Sequence, residues 1–172
     1  ELIKEYETEG NVEPSKITVG KYLTGWLESL KNLESVTPNT WQGYEISCRV
    51  HLIPNFGNQY LQKLQSTTIE STYGRLLKGG RKDNKKGGLS PKTIRNHHGV
   101  LSKAYNDAVK KRLTTWNPTE AVNLPQLEDS REKIKVLSKD ELAQLLIAAK
   151  GRVIYPIILM AATTGMRRGE IL

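Results

Sequence analysis

The residues best suited to chemistry lie at the end of the chain, in segment 163–172, which reads TTGMRRGEIL. Arg167 and Glu170 are three positions apart, so their side chains can meet on a helix that begins after Gly165. An arginine held by a carboxylate just after a tight glycine turn can grip a phosphate through two parallel hydrogen bonds. The same spacing also fits an exposed ion pair worth roughly a few tenths of a kcal/mol. From spacing alone, this simpler interpretation is favoured.

The sequence shows no second catalytic or metal-binding pattern. His51, His97 and His98 have no cysteine or carboxylate partners at metal-ligand spacing, and packing within a helix explains the pair at 97–98 most simply. Cys48 is the only cysteine, which excludes disulfide frameworks and CxxC metal sites. A single cysteine fits a reducing compartment and therefore predicts a cytoplasmic protein. No stretch has the length and apolarity of a membrane span.

Positive charge is concentrated in the middle of the chain. The net charge is +8, yet residues 1–70 carry −3, residues 71–112 carry +10 and residues 113–172 carry +1. The central band contains twelve Lys or Arg residues against two acidic ones. Such a concentration of positive charge is typical of a protein that binds a polyanion, with nucleic acid the obvious candidate. A solvated lysine-rich loop that only keeps the protein soluble is the alternative.

Four helices with short connections are predicted between residues 18 and 117. Thr37-Pro38 and Ser90-Pro91 each place a capping residue before a proline and so open the second and fourth helices. Thr67 and Glu70 predict a capping box for the third helix, and the glycine-rich stretch 79–88 predicts a loop. Helical spacing predicts that the following residues face the core: Tyr22, Leu23, Trp26, Leu27, Leu30, Trp41, Tyr44, Cys48, Leu52, Ile69, Tyr73, Leu76, Leu77, Ile94, His97 or His98, Leu101, Ala104, Tyr105 and Ala108.

The predicted organisation is all-α. Residues 1–17 form a linker from an upstream region, 18–117 a four-helix bundle, 118–137 an interdomain linker and 138–172 the start of a second, mainly helical domain. Ser138 and Glu141 predict a capping box there, and the apolar run 153–162 predicts a helix buried on most sides. The chain has no initiating methionine and ends within a predicted helix, so we interpret it as a fragment of a larger protein.

The order of these segments resembles that of the tyrosine recombinases, the phage integrase family. Segment 163–172 resembles the family's first catalytic box, and segment 136–142, which reads VLSKDEL, resembles the opening of its catalytic domain. The family's helical, SAM-like core-binding domain is similar in content, order and spacing to Val19–Leu30, Thr37–Leu52, Pro54–Leu64 and Leu89–Pro118. The resemblance covers nearly the whole chain after about residue 17.

The resemblance implies that Arg167 is the first of two arginines that clamp the scissile phosphate, and that Glu170 supports and orients it. Arg168 stands where the family often has an apolar residue and receives no catalytic role. The remaining catalytic groups, including the nucleophilic tyrosine, are expected beyond Leu172, so this fragment alone should cleave nothing. The whole protein would break and rejoin DNA through a covalent phosphotyrosine, with no metal or nucleotide cofactor.

The resemblance also implies that two helices enter the major groove of double-stranded DNA at a recombination core site. They correspond to the helices that begin at Pro38 and Pro91, and Lys85 and Lys86 would add attraction to phosphates. Self-association on DNA is expected of the full-length protein, in the cytoplasm of a bacterial host and associated with the nucleoid. The outward polar residues expected at the DNA are Asn39, Thr40, Gln42, Arg49, Lys92, Arg95, Asn96 and Lys103, although each fits a solvent-facing position as well.

Two other kinds of protein fit the same pattern. One is a non-catalytic DNA-binding regulator that shares the helical bundle. The other is a helical protein-interaction domain whose basic loop binds acidic partners.

Overall fold

The structure is a computed structural model that describes residues 16–82, 87–127 and 136–171. The chain divides into two compact units, Glu1–Leu127 and Glu128–Leu172. The described residues form helices joined by turns and loops and contain no strand, only an isolated antiparallel bridge between Thr18 and Tyr60, so the all-α prediction is confirmed. The helices are α1 Val19–Asn32, α2 Pro38–Ser47, α3 Ile53–Phe56, α4 Ser66–Gly79, α5 Pro91–Lys110, α6 Lys139–Ala149, α7 Tyr155–Thr164 and α8 Arg168–Ile171.

Capping residues begin α1, α2 and α5, and those of α2 and α5 are the predicted ones. The hydroxyls of Thr18, Thr37 and Ser90 accept hydrogen bonds from the backbone N–H groups three residues later. Each hydroxyl satisfies one of the N–H groups that a helix start leaves without a partner. Proline follows the cap in α2 and α5, where its missing N–H costs nothing.

The path from α2 to α3 is a continuous run of helical backbone with a wider turn inside it. Residues Cys48–Leu52 form one π-helical turn, and the Ile53 N–H bonds to the carbonyl of Cys48 five residues earlier. Pro54, in the first turn of α3, has no N–H to give to the carbonyl four residues before it, and its ring crowds that carbonyl. The widened turn accommodates this and brings Cys48, His51 and Leu52 into the core.

The predicted capping box of α4 is wrong. The helix begins two residues earlier than predicted, at Ser66, and its N-cap residue Gln65 makes no side-chain cap. The Glu70 carboxylate instead accepts hydrogen bonds from the backbone N–H and the Nδ2 of Asn123, at 2.6 and 2.9 Å. Ser66 Oγ donates to the Pro118 carbonyl at 2.6 Å. A tertiary contact has replaced the local cap.

The core of the first unit lies between α1, the π-helical turn, α4 and α5. The predicted inward residues of α1 and α5 are buried, whereas Trp41, Tyr44 and Leu77 are only half-buried and pack at the core's edge. Two buried tyrosines also bond across the bundle. Tyr22 Oη donates to the Ala104 carbonyl at 2.8 Å, and Tyr105 Oη donates to the Leu61 carbonyl at 3.1 Å. These bonds join elements far apart in sequence without leaving the hydroxyls unpaired.

Residues 118–127, the first part of the expected interdomain linker, pack on this bundle. Thr119 is buried and Val122 and Leu124 contact the core. The Asn117 side chain shapes the segment's start, since its Oδ1 accepts from the N–H and the hydroxyl of Thr119 at 3.0 and 2.7 Å. The rest of the expected linker, apart from residues 136 and 137, lies outside the described residues.

In the second unit, the predicted capping box of α6 is present between Ser138 and Glu141. Helix α7 ends at Gly165, which has a left-handed conformation with φ of 68°. The expectation that 153–162 is buried on most sides is wrong for this chain, because only Tyr155 and Ile158 are even half-buried. The unit offers α7 few elements to pack on: α6 and the four-residue α8. Among the described residues, no helix has the length and apolar character needed to cross a bilayer.

Candidate nucleic-acid interface

Helix α2 presents most of its predicted contact residues to solvent. Asn39 and Gln42 are exposed and lie three positions apart, on the same side of the helix. Thr40 is exposed as well, but its hydroxyl lies 2.9 Å from that of Thr37 and the two share a hydrogen bond. Its hydroxyl therefore already serves the helix start.

Arg49 lies in the π-helical turn, with 65% of its side chain exposed. Its Nε donates to the Glu45 carboxylate at 2.5 Å, an i, i+4 ion pair. An exposed pair of this kind contributes little stability. It does fix the guanidinium on the outer side of the turn, where its other N–H groups can reach a phosphate or a base edge.

Helix α5 carries the second predicted set along one side. Lys92 and Asn96 are exposed, and Lys103 is half-buried. Positions 92, 96 and 103 differ by four and seven residues, so they form a row along the helix. Helix α5 contacts both α2 and the π-helical turn, which brings the two predicted sets onto neighbouring elements of one unit.

Arg95 has a role that the sequence did not indicate. Its Nε donates to the carbonyl of Pro125 at 3.0 Å, and the side chain is half-buried. The residue therefore holds the segment 118–127 against α5 and has less freedom than Lys92 to follow a ligand. Lys85 and Lys86 lie outside the described residues. Their neighbours Arg81 and Lys82 are described and exposed.

Three histidines lie beneath this surface. The rings of His51 and His97 are 4.5 Å apart, and His98 meets the edge of Tyr73 at 6.0 Å. Burial, with the nearby His51 a smaller cause, lowers the pKa of His97 to about 4. Burial first, then the charge of Lys82, lowers the pKa of His51, and burial with Arg95 lowers that of His98. At neutral pH the three rings are uncharged, so the positive potential of this surface comes from its lysines and arginines.

Sequence reasoning assigned these histidines no role beyond packing, and it missed that His51 and His97 meet. They belong to different helical elements, so spacing alone could not pair them. Among the described residues, no group of three or more His, Cys, Asp or Glu side chains could hold a metal ion.

In the second unit, Arg167 and Glu170 meet as predicted. Glu170 accepts a hydrogen bond from the Arg167 backbone N–H at 2.8 Å and one from Arg167 Nη1 at 3.2 Å. The Arg167 side chain is 87% exposed and that of Glu170 is 51% exposed. Glu170 thus holds both the backbone and the guanidinium of Arg167 at the start of α8. With Nη1 engaged by Glu170, the outer edge of the guanidinium faces solvent.

Comparison with known proteins identifies this arrangement of helices. Residues 18–77 match the family described as "Phage integrase, N-terminal SAM-like domain". The solution structure of a phage integrase SAM-like domain from Moorella thermoacetica is 36% identical, with a TM-score of 0.51, over 69% of this chain and 93% of that domain. The chain belongs to the phage integrase family, the tyrosine recombinases.

Longer integrases align with both units of the chain. An integrase from Saccharopolyspora erythraea is 28% identical over 90% of this chain. The structure of the Tn1549 transposon integrase in complex with circular intermediate DNA is 22% identical, with a TM-score of 0.66, over 90% of this chain and 48% of that one. At this identity the likeness concerns the fold. The chain spans 33% and 40% of the lengths of the two curated relatives it matches.

Proposed function

We propose that this chain is the core-site DNA-binding part, joined to the opening of the catalytic part, of an enzyme that performs site-specific DNA recombination. Family membership supports the reaction class. The observation that carries the DNA-binding role is the row of Lys92, Asn96 and Lys103 on α5, a helix that contacts α2 with its exposed polar residues. Helix α5 belongs to the part of the chain, residues 71–112, where the positive charge is concentrated.

The bundle of residues 18–117 would lie against one side of the duplex with α2 and α5 towards the major groove. Asn39, Gln42 and Asn96 have the amide groups that read base edges. Lys92 and Lys103 would bind phosphates, and so would Lys85 and Lys86. Most such contacts position the protein rather than specify sequence. We expect the full-length protein to self-associate on DNA and to work where the bacterial chromosome is, in the cytoplasm.

For Arg167 we propose the role of a phosphate ligand in the catalytic step. As a nucleophile attacks a phosphodiester, negative charge builds on the phosphoryl oxygens, and a fixed guanidinium neutralises it. Glu170 would orient Arg167 through the two hydrogen bonds described above. An arginine supplies paired donors in one plane, which lysine cannot do.

We also propose that the tyrosines packed in the bundle are not the catalytic nucleophile. Tyr22 and Tyr105 donate to backbone carbonyls inside the core. Tyr73 is 2% exposed, and burial raises its pKa. Tyr44 stacks on a tryptophan, with ring centroids 5.7 Å apart. The buried hydroxyls of Tyr22, Tyr73 and Tyr105 cannot reach a DNA phosphate without unfolding the bundle. The chain incubated with a nicked duplex of its core site should accordingly form no covalent adduct.

A salt series with duplex DNA tests the binding role. Each phosphate contact contributes about 0.9 to the slope of log affinity against log salt. Replacing Lys92 or Lys103 by glutamine should lower that slope by about 1. Lys21→Gln is the matched control, because Lys21 is exposed on α1 outside the basic band. A wild-type affinity that does not change with salt would contradict the proposal and favour a protein-interaction domain.

Binding alone does not separate the recombinase from a non-catalytic regulator. Strand cleavage by the full-length protein separates them, and a substitution of Arg167 tests whether that cleavage depends on this residue. Arg167→Lys should abolish strand cleavage while changing duplex affinity little, since lysine keeps the positive charge and the other proposed contacts belong to the bundle. If the substituted protein cleaved as fast as the wild type, Arg167 would have no part in catalysis.

A further inference from the structure

A cleft beside the start of α5 has the components of an anion site. It has a volume of about 370 Å³ and lies between the π-helical turn and the segment that leads into α5. The side chains relevant to binding are those of His51, Arg81, Lys82, Ser90 and Thr93. Among the residues that the structure describes, none that lines the cleft is acidic.

The start of α5 contributes polar donors to this cleft. The hydroxyls of Ser90 and Thr93 lie 2.9 Å apart, and Ser90 Oγ also accepts from the Thr93 N–H at 3.1 Å. Because only one of the two hydroxyls can donate within the pair, the other has a hydrogen to give to a ligand. Helix α5 has 20 residues, and the partial positive charge at its amino end favours an anion there.

His51 is the second and independent sign of a ligand. The residue lines the cleft, is only 8% exposed, and its Nδ1 has no hydrogen-bond partner in the described part of the chain. Buried polar atoms are nearly always paired, and an unpaired one is costly. A neutral imidazole carries one N–H that can donate to an anionic oxygen.

Two cations complete the set. Arg81 and Lys82 are exposed at the rim, and Lys82 is close enough to His51 to act on its ionisation. Neutral donors inside and cations at the rim suit a ligand with one negative charge shared between several oxygens. A phosphodiester has this chemistry.

We propose that this cleft binds one backbone phosphate of duplex DNA, with His51 and the Ser90–Thr93 hydroxyl pair as neutral donors and Lys82 as the cation. This inference rests on the proposed function and deepens it. It adds a fixed point of contact at the start of α5, next to Lys92. A phosphate held there would set the register of α5 on the duplex.

The test compares Lys82→Gln, His51→Gln and the double variant, with Lys21→Gln as the control, in a salt series with a duplex of random sequence. Lys82→Gln should lower the salt slope by about 1. His51→Gln should weaken binding about tenfold, the value of a hydrogen bond to a charged group, and leave the slope unchanged. Because both residues would hold one phosphate, the loss in the double variant should be smaller than the product of the single losses.

The results of this test distinguish a failure of the cleft proposal from a failure of the proposed DNA-binding function. If wild type binds the duplex with a steep salt dependence but Lys82→Gln matches Lys21→Gln, the cleft proposal is overturned and the proposed function stands. Multiplicative losses in the double variant also overturn the shared phosphate. If wild type does not bind duplex DNA, both fail. Urea unfolding checks that each variant is folded, and should His51→Gln not fold, Lys82→Gln on its exposed side chain still decides.

Discussion

Acid should destabilise the first unit through His97. The buried ring has a pKa of about 4 in the folded protein against 6.5 for an ordinary histidine. The unfolded chain therefore binds a proton as pH falls below about 6.5 while the folded chain does not. Stability is fully present above pH 6.5 and is lost as pH falls towards 4.

The magnitude follows from this pKa difference. At about 1.4 kcal/mol for each pH unit, His97 alone costs about 2 kcal/mol of unfolding free energy between pH 6.5 and pH 5. By pH 4 the loss reaches about 3 kcal/mol. His51 and His98 have lowered pKa values for the same reason, burial, so they add to the loss and do not oppose it. Against a typical total of about 5–15 kcal/mol, this loss is large.

The assay is urea unfolding followed by tryptophan fluorescence at pH 7, 6 and 5. All three tryptophans, Trp26, Trp41 and Trp116, lie in the first unit, so the signal reports that unit alone. His97→Gln removes the titrating group. Between pH 7 and pH 5, the unfolding free energy of this variant should fall by about 2 kcal/mol less than that of the wild type. A wild-type midpoint that stays constant from pH 7 to 5 would refute the reasoning. An unchanged pH dependence in His97→Gln would refute the assignment to this residue.

Two further predictions concern the packing of the same unit. Tyr105→Phe leaves a backbone carbonyl in the core without its donor and should cost about 1–2 kcal/mol in urea unfolding, whereas Tyr60→Phe, on a 43% exposed ring, should have no measurable effect. Gly88→Ala would place a methyl group 1.7 Å from the Leu77 carbonyl oxygen, so its thermal midpoint should fall well below that of Gly79→Ala, where nothing lies within 4 Å. Equal midpoints would show that the turn at residue 88 can move away.

The parts of the fold that sequence predicts are those decided by neighbours along the chain. Caps before proline at Thr37 and Ser90, the inward face of α1 and the glycine end of α7 depend on residues within one or two turns, and the structure has them all. The meeting of Arg167 with Glu170 is of the same kind, because three positions on a helix bring two side chains together whatever surrounds them.

The parts that sequence missed depend on contacts distant along the chain. Glu70 has the right spacing for a local cap, yet it bonds to Asn123, 53 positions away. The two hydrogen bonds that Glu70 accepts from Asn123, one from its backbone N–H and one from its side-chain amide, replace a cap on an exposed turn. Residues 118–127 have no periodicity because single side chains hold them, such as Arg95 at Pro125. The pairing of His51 with His97 is likewise a tertiary contact between the π-helical turn and α5.

The candidate DNA surface divides in the same way. The basic band was visible in the sequence because charge can be counted without a fold. The sequence did not show which of these residues are free to contact DNA. In the structure Lys92 is exposed, whereas Arg95 donates to the carbonyl of Pro125. The sequence places Arg81 and Lys82 only in a loop, whereas in the structure they line the same cleft as His51.

The buried histidines and the surface cations act together on how this unit can meet DNA. Since burial keeps the three imidazoles neutral, the charge that attracts a polyanion belongs to flexible side chains at the surface, and salt screens such charges effectively. A phosphate that enters the cleft changes this balance, because an anion beside His51 favours its protonated form. Binding at the cleft would then take up a proton at His51, so duplex affinity would rise as pH falls, whereas the free unit loses stability. Protonation of His51 would therefore strengthen DNA binding while it destabilises the free unit. Protonation of His97 only destabilises, because His97 does not line the cleft.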